Sequence, residues 1–295
     1  MEWSHISVMK EESLAHLSLH SRGVYVDATL GLGGHTVAIA DYLDAGKVIG
    51  IDTDGQALNI AKERLTSVLD KVKLVQGNFV EIDSVVQNLG HRKVNGILAD
   101  LGVSSMELDN PERGFSFQQD GPLDMRMNPQ GQDLTAADIV NTYTEADLAE
   151  LFRKYGDEIF PGRIARVIVE QRRKQELRTT QDLVELILSV VPRKRVGGIH
   201  PATRVFQALR IEVNDELTAL EVFIQKSVDL LESGGRLVII SFHSGEDRIV
   251  KHIFRRLKQE QKGKIITKKP LLPSEEEKMS NPRSRSAKMR VLEKH

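Results

Sequence analysis

Residues 24–54, VYVDATLGLGGHTVAIADYLDAGKVIGIDTD, constrain the fold more than any other stretch of the chain. A short apolar strand (Val24, Tyr25, Val26) meets an acid, Asp27, then a glycine-rich turn (Gly31, Gly33, Gly34) and a helix from about His35. A second apolar strand (Val48, Ile49, Ile51) ends on Asp52. Strand, glycine turn, helix, strand and terminal acid make a nucleotide-cofactor βαβ unit. The glycines allow close approach of backbone to ligand, and the helix amino end offers unpaired N–H groups. Asp52 is placed to accept hydrogen bonds from a ribose diol.

Two cofactor classes use such a unit. A dinucleotide fingerprint needs G-x-G-x-x-G, whose third glycine lets helix and strand pack closely. Gly31 and Gly33 satisfy the first two positions, but Thr36 stands in the third. Asp27 would also set a negative charge against a pyrophosphate, whereas a carboxylate there suits a cation. S-adenosylmethionine carries an ammonium and a sulfonium, so the stretch favours a methyl donor over a dinucleotide. A glycine turn that merely connects strand to helix leaves both strand-end acids unexplained.

The chain has 295 residues, 40% hydrophobic and 28% charged, which is enough for one large domain or two with ample core. It has no cysteine, which excludes disulfides, thiolate metal sites and a cysteine nucleophile. Methylation of pyrimidine C5 by prior thiolate addition is therefore not expected; the target should be an amine or hydroxyl. No metal site is predicted. MEWSHISVMKEES lacks the pattern of a signal peptide, and the longest apolar runs are too short to span a bilayer, so no membrane association and a cytoplasmic location are expected. Residues 1–150 hold 11 Lys+Arg against 23 Asp+Glu, while residues 151–295 hold 30 against 19. That asymmetry points to a polyanionic partner for the second half.

A leading helix is expected over residues 8–19, and Leu58, Ala61, Leu65 and Val68 mark another over 55–69. Val72–Val75 form a third strand running into Gly77, Asn78 and Phe79, where a polar and an aromatic residue could border an adenine. Residues 94–103 form a fourth strand carrying Asp100. Ligand crevices in open α/β sheets lie beyond the strands' carboxyl ends, so Asp27, Asp52, Asn78 and Asp100 should converge. Residues 215–232 supply a crossover helix to a fifth strand at 236–244. This assigns residues 1–104 and 215–295 to a cofactor-binding core and 105–214 to an inserted helical subdomain.

Within the insert, Thr144 with Asp147 and Thr179 with Asp182 mark helix starts; Gly156 and Pro192 mark stops, and Pro201 suits a third helix. Residues 102–127, GVSSMELDNPERGFSFQQDGPLDMRM, have neither period, and a loop this long within a compact domain favours function. Phe115 and Phe117 are placed to stack on a base, with Arg113 and Arg126 on phosphate. Arg163, Arg166, Arg172, Arg173, Lys174 and Arg178, followed by Arg193, Lys194 and Arg195, read as a phosphate-backbone footprint. After the fifth strand, His243 is a candidate substrate contact, and Ser244 with Asp247 caps the next helix. Lys264–Lys268 and Lys288–Lys294 are a closing strand pair, which fits a methyltransferase sheet better than a dehydrogenase.

The motifs DATLGLGGHT, GIDTD, DLGVSS, RGFSF, GPLDMRM, HPATRVFQALRIEVNDEL and SFHSGEDRIVK, with HISV near the start, resemble the bacterial cytosine-N4 methyltransferases of 16S ribosomal RNA, the RsmH family, formerly MraW. The resemblance covers nearly the whole chain. It implies an α/β fold of the class I S-adenosylmethionine-dependent methyltransferase type, Rossmann-like with a mostly parallel sheet and an inserted helical subdomain. It implies S-adenosyl-L-methionine as cofactor, and cytidine 1402 of 16S ribosomal RNA in the small subunit as target. The family's cofactor contacts fall on Gly33, Gly34, His35, Asp52, Phe79 and Asp100, and on Glu107, where the family carries glutamine. Gly245 is a second departure, the family usually having leucine there.

Cytosine N4 is a poor nucleophile because its lone pair is delocalised into the ring. Many amino-methyltransferases hold such an amine with an Asp/Asn-Pro-Pro-aromatic motif after the fourth strand; here Asp100-Leu101-Gly102-Val103 stands in that place. Asp100 is thus the candidate catalytic residue, orienting the N4 hydrogens for in-line transfer. Phe115, Phe117 or Phe242 would replace the stacking that an extruded base loses. Alternatives are an amino-methyltransferase acting on another RNA or on DNA, a non-catalytic RNA-binding protein, and an NAD-dependent oxidoreductase. Monomer and homodimer both remain open.

Overall fold

The computed structural model describes residues 6–191 and 199–295. The chain forms two compact units, residues 1–102 with 217–295, and residues 103–216. In chain order the first comprises α1 (Lys10–Leu17), β1 (Val24–Asp27), α2 (Gly34–Tyr42), β2 (Lys47–Asp52), α3 (Gly55–Arg64), β3 (Val72–Gln76), α4 (Ile82–Asn88) and β4 (Val94–Asp100). The second holds α5 (Ser105–Asp109), α6 (Ala136–Thr142), α7 (Glu145–Gly156), α8 (Pro161–Arg172), α9 (Thr180–Val190) and α10 (Thr203–Asn214). The chain then returns through α11 (Glu216–Leu230), β5 (Leu231–Ser241), α12 (Ser244–Gln259), β6 (Gly263–Ile265), α13 (Glu275–Ser280) and β7 (Lys288–Lys294).

The seven strands make one sheet in the order β3-β2-β1-β4-β5-β7-β6. The first five are parallel, and β7 runs antiparallel to both β5 and β6. This order matches the Rossmann-like, mostly parallel sheet that the sequence leads one to expect, closed by an antiparallel pair. The strands read as continuous apolar runs because both faces are covered. Val26, Ile49, Ile97 and Ile239 face a layer containing Phe223 of α11 and Phe254 of α12. Their neighbours Tyr25, Val48, Leu98 and Val238 face the opposite layer, with Leu17, Ile39 and Ala61 of α1, α2 and α3. β5 starts five residues before the expected Arg236: Leu231 already pairs with Val94, and the register shifts before Gly96 meets Arg236, so Glu232–Gly235 bulge outward.

The helical unit has its own core, with Leu148 and Phe152 of α7, Ile164 and Ile168 of α8, Leu183 and Ile187 of α9, and Val205 and Phe206 of α10. Thr144 and Thr179 cap α7 and α9 through the N–H groups of Asp147 and Asp182. Gly156 is the last residue of α7, and Asp157 takes the left-handed cap conformation (φ 49°) in place of the glycine the sequence favours. Pro201 lies two residues before α10 starts. Pro192, Arg193, Lys194, Arg195, Gly197 and Gly198 lie outside the described residues. Among the described residues, no helix is long and apolar enough to cross a membrane.

Candidate functional site

The carboxyl ends of β1, β2 and β4 bring Asp27, Asp52 and Asp100 to one edge of the sheet, across the point where strand order reverses. Asp52 is held from both sides: Oδ2 accepts the Gly31 N–H at 2.7 Å and Oδ1 accepts the Asp54 N–H at 2.9 Å. Burial pushes its carboxyl up to about 6, against the lowering effect of those two hydrogen bonds, and the charges of Asp54 and Asp27 add to the rise. The glycine turn that supplies one of these donors depends on backbone closed to other residues, with Gly33 at φ 78° as the cap of α2.

Asp27 is fully buried; Oδ2 accepts the Thr36 hydroxyl at 2.7 Å, and Oδ1 has no hydrogen-bond partner. Its pKa is raised, chiefly by burial, while His35 and Thr36 oppose the rise and Asp100 adds to it. Thr36 thus fills the third fingerprint position with a hydrogen bond that a glycine cannot make. His35 opens α2 and is itself buried, with Nε2 3.6 Å from Asp100 Oδ2. Burial disfavours the charged imidazole, but Asp100 and Asp27 outweigh it and raise its pKa; Lys10 works against them. Asp100 has its backbone N–H on the Thr29 hydroxyl at 2.7 Å, and its Oδ1 is buried without a hydrogen bond. His35 thus sits with Asp27 and Asp100, each of which keeps one buried carboxylate oxygen without a hydrogen bond, so the cluster has acceptor capacity to spare.

Asn78 does not join this cluster. Its side chain accepts the Val80 N–H and, with Glu81, forms a capping box for the turn Phe79–Glu81. Phe79 packs edge-on against Phe223 of α11 at 5.0 Å between ring centres and stays partly exposed. Phe242, at the end of β5, lies beside the chain just after Asp100: a side-chain carbon on Gly102 would sit 3.7 Å from its ring.

The cap of α12 lies one residue earlier than Ser244 and Asp247 imply. His243 is the N-cap, Glu246 accepts the N–H groups of Phe242 (2.8 Å) and His243 (3.2 Å), and His243 Nε2 lies 3.2 Å from the Glu246 carboxylate. Asp247 is released to bind Arg290 of β7 through two hydrogen bonds of 2.6 and 3.2 Å. A side chain on Gly245 would begin 3.1 Å from His243 Nδ1, so the glycine makes room for the capping imidazole.

The helical unit organises the long loop with the residues expected to meet nucleic acid. Arg113 is buried; its guanidinium donates to the carbonyls of Arg126 (2.9 Å) and Met127 (3.1 Å) and lies 3.8 Å from Glu107. Glu107 is buried too and closes a capping box with Ser104 at the start of α5. A glutamine there would keep the cap bond and lose the charge pairing with Arg113. Arg126 clasps Asp124 with two hydrogen bonds (2.9 and 2.7 Å) and donates to the carbonyls of Pro129 and Gln132. Phe115 belongs to the core of this unit. Phe117 is partly exposed and stacks on His200 at 4.7 Å, with Phe206 edge-on at 5.0 Å. Arg113 and Phe115 therefore build the loop from inside rather than presenting themselves to phosphate or base, a correction forced by burial. Arg126 has its guanidinium committed to Asp124 and the loop backbone.

Residues 2–295 match the family model described as the MraW methylase family. The chain belongs to that family. Three curated relatives of this methylase share the name "Ribosomal RNA small subunit methyltransferase H". The protein of Carboxydothermus hydrogenoformans is 50% identical over 100% of this chain and 99% of its own length. That of Acaryochloris marina is 51% identical over 99% and 95%. That of Clostridioides difficile is 46% identical over the whole of both.

Proposed function

We propose that this methylase transfers a methyl group from S-adenosylmethionine to N4 of a cytidine in 16S ribosomal RNA, at position 1402, within the small ribosomal subunit and in the cytoplasm. The observation that carries the reading is end-to-end similarity to relatives named for ribosomal RNA small subunit methylation. The site fits the donor chemically: a cationic ligand suits the partnerless Oδ1 atoms of Asp27 and Asp100, which a pyrophosphate would not. When bound, S-adenosylmethionine supplies an electrophilic methyl group on sulfur.

The chain's own residues do the rest. Asp52, with its carboxylate orientation fixed by two backbone donors, accepts from the ribose hydroxyls. Gly33, Gly34 and His35 would hold the donor at the amino end of α2, and Phe79 would border its base. Asp100 accepts from the N4 amine, fixing its direction of attack, and Phe242 stacks on the displaced cytosine. His243 lies beside Phe242 on the acceptor side. No proton need leave before attack; the N-methylated amine releases one afterwards.

Nucleoside mass spectrometry of small-subunit RNA from cells with and without this protein tests the reading. N4-methylated cytidine should disappear with the protein; its persistence would defeat the proposal.

Asp52 gives the donor site a pH dependence. An acid whose folded pKa of about 6 exceeds its ordinary value of 3.8 favours the folded state on the acid side, and that contribution is lost as pH rises through 6. Donor binding should run the opposite way, because a protonated carboxyl loses acceptor capacity. Calorimetry between pH 8 and 5 should show donor affinity falling about tenfold at the acid end, and Asp52→Asn should flatten that profile. A profile that survives in Asp52→Asn would assign the titration elsewhere.

A further inference from the structure

The basic residues that the sequence assigns to a phosphate footprint in the insert are largely engaged. Arg166 pairs with Glu170 at 2.9 Å, Arg172 donates to the Val140 carbonyl at 2.8 Å, Arg178 meets Glu176 at 3.2 Å, and Arg163 lies over the Phe160 ring. A different set, on the methyltransferase core itself, is not.

α12 is strongly amphipathic. Val250, Ile253, Phe254 and Leu257 face the sheet, and Arg248, Lys251, His252 and Arg255 fall on the opposite side at helical spacing. Arg248 and Arg255 are exposed and Lys251 partly so, and none of the three forms an ion pair or hydrogen bond with the described residues. No acid shares their face. Glu246 is buried in the cap, and Asp247 is taken by Arg290 at 2.6 Å and by Lys288 at 3.9 Å. Glu260, beyond the far end, pairs with Lys262 at 2.9 Å. The row spans about 10 Å of helix axis at 1.5 Å per residue. It begins one turn from Phe242 and His243, where β5 delivers the chain to the edge bearing Asp27, Asp52 and Asp100.

Three unpartnered cations in line, with the acids of α12 itself turned to other partners, make a track for a chain of phosphates. The arginine fork can bind two oxygens of one phosphate at once. We propose that the outer face of α12, through Arg248, Lys251 and Arg255, holds the phosphate backbone of the RNA strand beside its target base. This rests on the ribosomal RNA reading above and adds the surface of the core that meets the strand. The cations fix position and carry no base specificity.

The test is the double variant Arg248→Gln/Arg255→Gln in the full chain, with Lys62→Gln/Lys73→Gln removing the same charge from α3 and β3. Small subunits purified from cells lacking the protein serve as the binding probe, titrated at several salt concentrations. The α12 variant should bind them at least about tenfold more weakly, and the slope of log affinity against log salt should shrink by roughly 0.7 for each lost phosphate contact. Donor affinity, measured by calorimetry, should stay at the unsubstituted value. Unchanged subunit affinity and slope in the α12 variant would overturn the proposal, as would equal losses in both double variants. Failure of the unsubstituted protein to bind or methylate subunits, with donor binding intact, would instead sink the ribosomal RNA reading.

Discussion

Asp100→Ala is expected to lower methyl transfer by about two to three orders of magnitude at saturating donor and RNA, the scale on which one preoriented polar group acts in a buried site. Asp100 Oδ2 faces the His35 imidazole, while Oδ1 is buried and without a hydrogen bond. A buried acceptor left unsatisfied is costly unless a ligand completes it. Asp100→Asn keeps an acceptor oxygen but loses the charge, and should fall between alanine and the native residue. The same variants carry a readout that needs no RNA. Burial opposes a charged His35, and Asp100 is foremost among the groups that reverse this. Removing the carboxylate should therefore move the His35 titration, followed by NMR, to lower pH. Turnover near the native rate, with donor binding intact, would take Asp100 out of the reaction.

The three strand-end acids were legible from sequence because the features that place them are local: apolar runs fix the strands, and a strand's end fixes the acid's edge. His35 was legible only as part of a family motif. Its approach to Asp100 joins residues on α2 and β4 through the sheet's topology, which no spacing along the chain encodes. Asn78 illustrates the reverse. A polar residue at a strand end reads as a ligand, but the amide side chain bonds the backbone two residues on, a local alternative always open to asparagine. At α12 the sequence pointed to Ser244 with Asp247, whereas the structure caps the helix one residue earlier, with His243 and Glu246. Serine is the better cap by type, yet the Arg290 guanidinium, distant in sequence, claims Asp247 and leaves Glu246 to the cap.

The helical unit was legible where threonine caps precede amphipathic runs, as at α7 and α9, and less so elsewhere. α8 (PGRIARVIVEQR) drew notice only as a basic stretch, although Ile164, Ala165 and Ile168 form a buried stripe at helical spacing. The short helices α4, α6 and α13 have 6 or 7 residues each, too few turns for periodicity to speak. The loop over 102–127 hid most. Its arginines and phenylalanines resemble a nucleic-acid surface by composition, but Arg113 and Phe115 are buried because the loop must satisfy its own carbonyls and fill its own interior.

Gly114→Ala should expose how tightly that loop is wound. Residues 111–125 double back so that the Met125 N–H reaches the Arg113 carbonyl at 3.0 Å and the two limbs touch through backbone. Gly114 ends the turn Pro111–Arg113 at φ 70°, and a Cβ there would stand 2.1 Å from the Pro122 carbonyl oxygen and 2.8 Å from the Asp124 nitrogen. Gly121 has the reciprocal position, its Cβ 2.0 Å from the Pro111 oxygen, so each limb passes over a glycine of the other. The left-handed conformation alone disfavours alanine by about 1–2 kcal/mol. The clash falls on backbone that is hydrogen-bonded on both sides and cannot yield, which brings the total to about 4 kcal/mol, in the range reserved for named structural faults. Gly90→Ala separates the two effects, since Gly90 has φ 85° with nothing within 4 Å of the added carbon. Thermal unfolding should show Gly90→Ala lowered by a few degrees and Gly114→Ala by on the order of 10 °C or more. Calorimetry of the donor with Gly114→Ala then asks whether damage in the helical unit stays there. Equal destabilisation by the two substitutions would mean that the limbs separate easily and that the loop is not held by the crossing of its two glycines.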